Sequence, residues 1–231
     1  MIIGIISALE EEIKFIRYRM NQHKTFLVGG CKIYIGLIKN ITIILVVSGV
    51  GKTLASLGTT ILVNNYKPNV IINIGTAGSI ISELQIGDIV IANEVSYYDV
   101  DMTAFGYKLG QVSGFPIKFT ANKDLINQTE ICMNQLNFRF KKGLIVSGDK
   151  FINDIKYLKF IFTNFPKAVA IEMESAAIAH ICYIFQIPFI AIRSISDIVS
   201  KQSNINFKKN LINSTEKCCI AINKILTNIS N

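Results

Sequence analysis

The sequence predicts an α/β protein: a three-layer single domain with a mixed, twisted central sheet flanked by helices. Short apolar runs of strand length alternate with stretches of helical periodicity along the whole chain, and strands outnumber the helices that could cross between them. Half of the 231 residues are hydrophobic and only 17% are charged, a balance that suits a buried sheet better than a disordered chain. No run rich in Pro, Gly or Ser divides residues 1–231, so one domain is expected.

Ile2–Ser7 reads as an apolar strand running into "ALEEEIKFIRYRM", where Leu9, Ile13 and Ile16 recur at helical spacing behind an acidic first turn. Lys32–Leu37 and Thr42–Ser48 flank "IKN" as a hairpin, and "GVGKTLASLGTTILVNNY" follows as a helix with small residues at packing intervals. Asn69–Gly75 is the next strand, and residues 84–95 another. "ANKDLINQTEICMNQL" is an amphipathic helix capped by Asn122 or Asp124. Then come "KGLIVSGD" (strand), "DIKYLKFIF" (helix), "AVAIEM" (strand), "SAAIAHICYIF" (helix) and "PFIAIRSISD" (strand). The C-terminal stretch closes as an amphipathic helix with Leu211, Cys218, Ile222, Ile225 and Ile229 on one face.

Several function classes are excluded by composition and spacing. The N-terminus lacks a basic region and meets three acids before an apolar stretch reaches signal length, so no export signal is expected. Apolar runs such as "QIPFIAIRSISD" are broken by Pro188 and Arg193 well short of the roughly 20 residues that cross a bilayer. Five cysteines without C-x-x-C, and two histidines in unrelated contexts, predict neither a disulfide framework nor a metal site, and fit a reducing cytoplasm. The net charge of +8 is spread without a stripe of interleaved aromatics, which argues for a solvated basic surface and against nucleic acid. "VVSGVGKT" fails as a phosphate-binding loop because Val46 stands where its first glycine belongs, and "NIGTAG" lacks the dinucleotide-binding spacing.

In open α/β sheets ligands sit beyond the carboxyl ends of the strands, so the polar residues that end apolar runs should converge. Here these are Glu10–Glu12, Thr76–Gly78, Asp149–Ile152, Glu172–Glu174 and Ser196–Asp197. Acids dominate. Several carboxylates without metal ligands suggest acid/base work on a glycosidic bond, with one group protonating the leaving group, another activating water and a third holding sugar hydroxyls. Phe151 offers an aromatic face on which a base can stack.

The motifs "GIISALEEEI", "SGVGK", "INIGTAG", "DVDMTAFGY", "GLIVSGDKFI", "AIEMESAAIAH" and "RSISD", in this order and over essentially the whole chain, resemble the bacterial 5′-methylthioadenosine/S-adenosylhomocysteine nucleosidases of the wider nucleoside phosphorylase fold. The resemblance implies that Glu12 activates the attacking water and that Asp197, with a raised pKa, protonates adenine at N7. It implies that Glu174 grips the 2′- and 3′-hydroxyls, with Met173 beneath the sugar. Phe151 would stack on adenine, and the Ile152 backbone would read its edge, with Thr76, Gly78 and Ser196 in the same site. Leu9, Val50 and Phe207 would line an alkylthio pocket, while Met102, Phe105 and Tyr107, in a loop over 102–113, would reach across a homodimer interface to complete the partner's site. It further implies a cytoplasmic enzyme of methionine salvage that needs no cofactor and takes a small nucleoside. Thr76 stands where many relatives carry Ser, and Ser113 where Pro is expected.

Other polar residues carry plainer readings. Glu10 and Glu11 suit the first-turn dipole. Glu172 is either a structural partner, of Arg193 for example, or part of the site itself. Asp149 reads as a loop cap and His180 as a packed histidine. A phosphorylase of the same fold would need a cationic phosphate site, which three acids after the first strand oppose; a sensor without turnover would need no general base.

Overall fold

The computed structural model describes residues 1–199 and 203–229. β1 (Ile2–Ser7) leads into α1 (Glu10–Arg17), and β2 (Asn21–Val28), β3 (Cys31–Ile38) and β4 (Ile41–Val47) follow as a meander. The predicted hairpin is β3–β4. β2 was not expected: seven of its eight residues are exposed and the last is half-buried, so it carries none of the alternation that marks a half-buried strand.

α2 (Lys52–Tyr66) and β5 (Val70–Ser79) come next, β5 running four residues past the expected Gly75. β6 (Ile89–Tyr97) starts five residues later than expected, because 85–88 form a turn in which the Asp88 carboxylate accepts from the Gln85 N–H at 2.8 Å. A 3₁₀ turn (Thr103–Phe105) and the two-residue β7 (Phe119–Thr120) lie in the long segment before α3 (Lys123–Gln135), whose cap is Asn122, accepting from the Leu125 N–H at 3.0 Å. β8 (Phe140–Ser147), α4 (Ile155–Asn164), β9 (Ala168–Glu172), α5 (Ser175–Phe185), β10 (Phe189–Ile198) and α6 (Ser203–Ile229) complete the alternation.

The ten strands of the described residues form one sheet of mixed direction in the order β10-β6-β8-β9-β5-β1-β4-β3-β2, with β7 on β6. β10 also pairs in parallel with β5, so β5, β10, β6, β8 and β9 close into a ring from which β1, β4, β3 and β2 extend. The period-two pattern of the strands divides the core. Ile3, Ile5, Ile43, Leu45, Ile72 and Ile74 pack with α1, α3 and α6, while Ile6, Ile44, Val46 and Ile71 face α2 and α5. A third cluster joins Ile161 of α4 to Tyr98, Val146, Ile152 and Val199. No helix of the described residues is long and apolar enough to cross a membrane.

Two irregularities of β5 position everything that follows. On one edge β5 pairs with β1 up to Asn73 and with β9 only from Gly78, leaving Ile74–Ala77 without a strand partner there. Buried backbone groups in such a gap need other partners. The Thr76 N–H finds the Glu12 carboxylate at 3.0 Å, and the Ile74 carbonyl finds the Arg193 guanidinium at 2.9 Å. On the other edge β10 carries one extra residue, Ser196, between the pairs Ile195–Ala77 and Asp197–Gly78. Such a bulge re-aims the side chains around it.

Gly75 is required by this crossing. A Cβ there would stand 2.1 Å from Arg193 Nη1 and 2.7 Å from Glu12 Oε1, both held by other bonds. Gly75→Ala is therefore expected to lower unfolding free energy by about 1–3 kcal/mol in urea titration. A variant indistinguishable from the parent would contradict the tight packing of Arg193 over this residue.

Candidate active site

Glu12 sits in the first turn of α1, where a carboxylate favours the helix dipole, yet it is buried. The capping residue Leu9 has no side-chain acceptor, and Glu12 reaches back to supply one. Its Oε2 accepts from Leu9 N (3.1 Å), Ala8 N (3.2 Å) and Ser7 Oγ (3.0 Å), and its Oε1 from Thr76 N (3.0 Å) and Thr76 Oγ1 (3.3 Å). The hydroxyl of Thr76 thus does what a serine there could do. Glu10 has turned away to Tyr34, Arg17 and Lys32, and Glu11 is exposed.

Glu172 and Glu174, two residues apart at the end of β9, have different surroundings. Glu172 Oε2 accepts from the backbone N–H groups of Glu174 (3.0 Å) and Ser175 (2.9 Å), which start α5, and from Arg193 Nη2 at 2.6 Å; Oε1 accepts from Ser147 Oγ. Arg193 is 1% exposed and also donates to Asn73 Oδ1 (2.7 Å) and Ser175 Oγ (2.9 Å). Glu172 is therefore the ion-pair partner of Arg193, and one edge of it also lines the cavity described below.

Glu174 has a single close donor, the Gly51 N–H just before α2, at 2.9 Å, with Arg193 Nη2 farther off at 3.9 Å. Burial first, and then the neighbouring Glu172 carboxylate, push its pKa up to about 8, against the opposing pull of Arg193 and the Gly51 N–H. Asp197 follows the bulge of β10, is buried, and accepts from Ser196 Oγ at 2.8 Å. Its carboxylate lies over Gly78, where a Cβ would come 3.2 Å from Oδ2.

These groups surround one cavity of about 270 Å³. Glu12, Glu174 and Asp197 line it, as do Leu9, Val50, Thr76, Gly78, Phe151, Ile152, Met173, Ser196 and Phe207. The rings of Phe151 and Phe207, both on its wall, meet edge to face at 6.0 Å. Met102, Phe105 and Tyr107 do not line it; they lie on the 3₁₀ turn and its flanks, with Phe105 78% exposed. Tyr107 is bonded to Ser113 across 2.8 Å, so the serine in place of proline provides a polar partner.

Lys150, within the predicted segment Asp149–Ile152 but given no role there, lines the cavity and has its ammonium 4.1 Å from the Tyr157 ring, and sequence reasoning missed the supporting side chains Asn73, Ser147 and Ser175. Asn73 and Arg193 did carry a signal, each a strongly polar side chain directly following an apolar run, Val70–Ile72 and Phe189–Ile192. Asp149 is a cap, although for α2: it accepts from the Lys52 N–H at 2.7 Å. His180 is packed against Phe119, with ring centroids 4.8 Å apart, and meets Tyr97 Oη at 3.2 Å. Among the described residues no group of three His, Cys, Asp or Glu is placed to hold a metal ion.

A phosphorylase superfamily model matches residues 2–227. Among solved structures, the 5′-methylthioadenosine/S-adenosylhomocysteine nucleosidase of Colwellia psychrerythraea 34H, in complex with adenine, is 35% identical with a TM-score of 0.95, over 98% of this chain and 95% of that one. The nucleosidase of the same name from Neisseria meningitidis, in complex with methylthio-immucillin-A, is 32% identical with a TM-score of 0.96, over 98% and 99%. The futalosine hydrolase of Helicobacter pylori is 28% identical with a TM-score of 0.95, over 98% and 97%. The chain belongs to the phosphorylase superfamily and, within it, is an enzyme of the nucleosidase kind, hydrolysing N-glycosidic bonds.

Proposed function

We infer that this enzyme cleaves 5′-methylthioadenosine and S-adenosylhomocysteine, and 5′-deoxyadenosine with them, to adenine and the free sugar. The observation that carries this reading is the meeting of three buried carboxylates, Glu12, Glu174 and Asp197, on the walls of one cavity beside the Phe151 ring. Asp197 protonates adenine N7 while the C1′–N9 bond breaks with its electron pair going to the base. Water, losing a proton to Glu12, forms the new C1′–O bond. Protonation is the effective lever because the purine anion leaves poorly and the sugar passes through an oxocarbenium-like state.

Glu174 accepts from the ribose hydroxyls, with Met173 beneath the ring. Phe151 stacks on the base, and the Ile152 backbone meets its edge. Leu9, Val50 and Phe207 receive the 5′-substituent, and their apolar character suits a thioether. Phosphorolysis would need a cation beside the ribose, yet the Arg193 guanidinium is engaged by Glu172, Asn73 and Ser175, and the ammonium of Lys150, which also lines the cavity, lies over the Tyr157 ring. In the cell this activity belongs to methionine salvage in the cytoplasm. The working form is a homodimer in which Met102, Phe105 and Tyr107 close the partner's cavity, consistent with Phe105 projecting into solvent in the single chain.

The first test is adenine release from methylthioadenosine with and without phosphate, with the sugar product identified. Adenine and free methylthioribose in both buffers is the expected result. Turnover only with phosphate, giving a sugar 1-phosphate, would replace hydrolysis by phosphorolysis. Futalosine, as a competing substrate, should be cleaved more slowly; the reverse order would reassign the substrate.

Glu12→Gln and Asp197→Asn should each reduce the rate about 10²–10⁴-fold. Glu174→Gln should fold normally and lose activity about 10²-fold through lost orientation. Its stability has a definite pH signature. The folded-state value near 8 lies above the ordinary 4.5, so this group's stabilising contribution is complete below pH 4.5 and lost as pH rises through 8. Glutamine removes that loss, so melting curves should favour Glu174→Gln over the parent progressively from pH 5 to pH 9, and parallel curves would refute the raised pKa.

Phe105→Ala should lower kcat/KM about tenfold while leaving the sedimentation coefficient of a dimer unchanged. A monomer in sedimentation velocity, with undiminished activity, would remove the dimer from the proposal.

A further inference from the structure

Two segments that bound the cavity, at Val50 and at 150–152, meet the loop after β6 at one ion cluster outside it. Lys52, the first residue of α2, places its ammonium 2.7 Å from both carboxylate oxygens of Asp99 and 3.7 Å from Asp149 Oδ2. Asp99 also accepts the Asp149 N–H at 2.9 Å, and Asp149 accepts the Lys52 backbone N–H at 2.7 Å. The cluster is thus closed on itself by backbone as well as side-chain bonds. Lys52 Nζ lies 5.5 Å from the Tyr97 ring, and the next residue, Tyr98, donates to the Lys150 carbonyl at 2.6 Å.

Lys52 and Asp149 are each close in sequence to a part of the site, and Asp99 to the loop proposed to reach the partner's site. Gly51, adjoining Lys52, supplies the one close donor to Glu174. Asp149 stands two residues before Phe151, and Asp99 three residues before Met102. Packing is tight here as well, since a Cβ on Gly51 would come 3.0 Å from Asp149 Oδ1. The Lys52 and Asp99 side chains are only about a fifth exposed, so removing the ammonium leaves the Asp99 carboxylate without its cation and should lower the melting temperature as well as loosen the tie. What the cluster does supply is a fixed distance between the wall that carries Glu174 and the loop that carries Phe151.

The geometry points to Lys52 as a positioning residue: by tying Asp99 and Asp149 to the start of α2, it holds Glu174 and Phe151 at the spacing a whole nucleoside requires. This role rests on the nucleosidase reading above. It acts through other residues and touches no substrate. A misplacement of about 1 Å between groups that bind two halves of one molecule can cost about 10²-fold in rate, so loss of the tie should be read in catalysis beyond whatever it costs in stability.

The test compares Lys52→Met and Lys52→Arg with the parent, using methylthioadenosine turnover, inhibition by free adenine and thermal melting. Lys52→Met should lose about tenfold or more in kcat/KM, with a much smaller change in the adenine inhibition constant, because adenine alone spans only the Phe151 side. Lys52→Arg, which keeps the charge, should recover most of the loss. The role is overturned if Lys52→Met stays within about twofold of the parent, if arginine restores nothing, or if adenine inhibition weakens as much as turnover, which would mean general loss of the folded site. A parent protein that releases no adenine overturns the nucleosidase reading and this role together, whereas an active parent with an equally active Lys52→Met overturns this role alone.

Discussion

The buried Arg193–Glu172 pair is the constraint on which the rest of the site depends. A guanidinium with 1% exposure is tolerable only when it is neutralised and bonded, and here it reaches three other elements at once. It meets Glu172 at the end of β9, Ser175 at the start of α5, and Asn73 and the Ile74 carbonyl on β5, from its own place on β10. Glu172 in turn holds the first backbone donors of α5, which fixes the turn that carries Met173 and Glu174. The pair is best understood as a device of placement: a hydrophobic replacement of the same volume could pack as well, but would leave the β5 gap and the α5 start without partners.

That placement rests on backbone irregularity. A regular ladder along β5 would have used the Thr76 N–H and the Ile74 carbonyl within the sheet. Because β1 leaves at Asn73 and β9 joins only at Gly78, those groups instead bind Glu12 and Arg193. The bulge at Ser196 on the opposite edge turns Asp197 toward the same cavity. Ends of helices complete the arrangement: α1 carries Glu12 in its first turn, and the segment opening α2 presents the Gly51 N–H to Glu174.

The carboxylates of the cavity are held unequally. Glu12 is surrounded by five donors, whereas Glu174 has one close donor and a carboxylate neighbour, which is why burial raises its pKa so far. Environments that differ in this way let chemically identical groups take different roles in one small space. The enclosing walls are mostly apolar, so any charge these groups carry acts in a medium that screens it weakly.

Much of this was legible in the chain itself. Period-two and 3.6-residue patterns placed β1, α5 and the β3–β4 hairpin, because burial on one face dictates which residues can stand there. The acids at strand ends, and the ordered motifs around them, marked Glu12, Glu174 and Asp197, since a carboxylate beside a buried run needs a reason. The exposed strand β2 was invisible for want of a buried face, and the late start of β6 turned on one Asp88 side-chain bond. Closure of the sheet through β10 and β5, the gap and bulge in β5's two edges, and the pairing of Glu172 with Arg193 joined residues far apart in sequence. The sequence by itself determined which groups are present and how each segment folds locally. Only the tertiary structure decided which of those groups face one another, because pairing between distant strands is set by the packing of the whole sheet and leaves no trace in local periodicity.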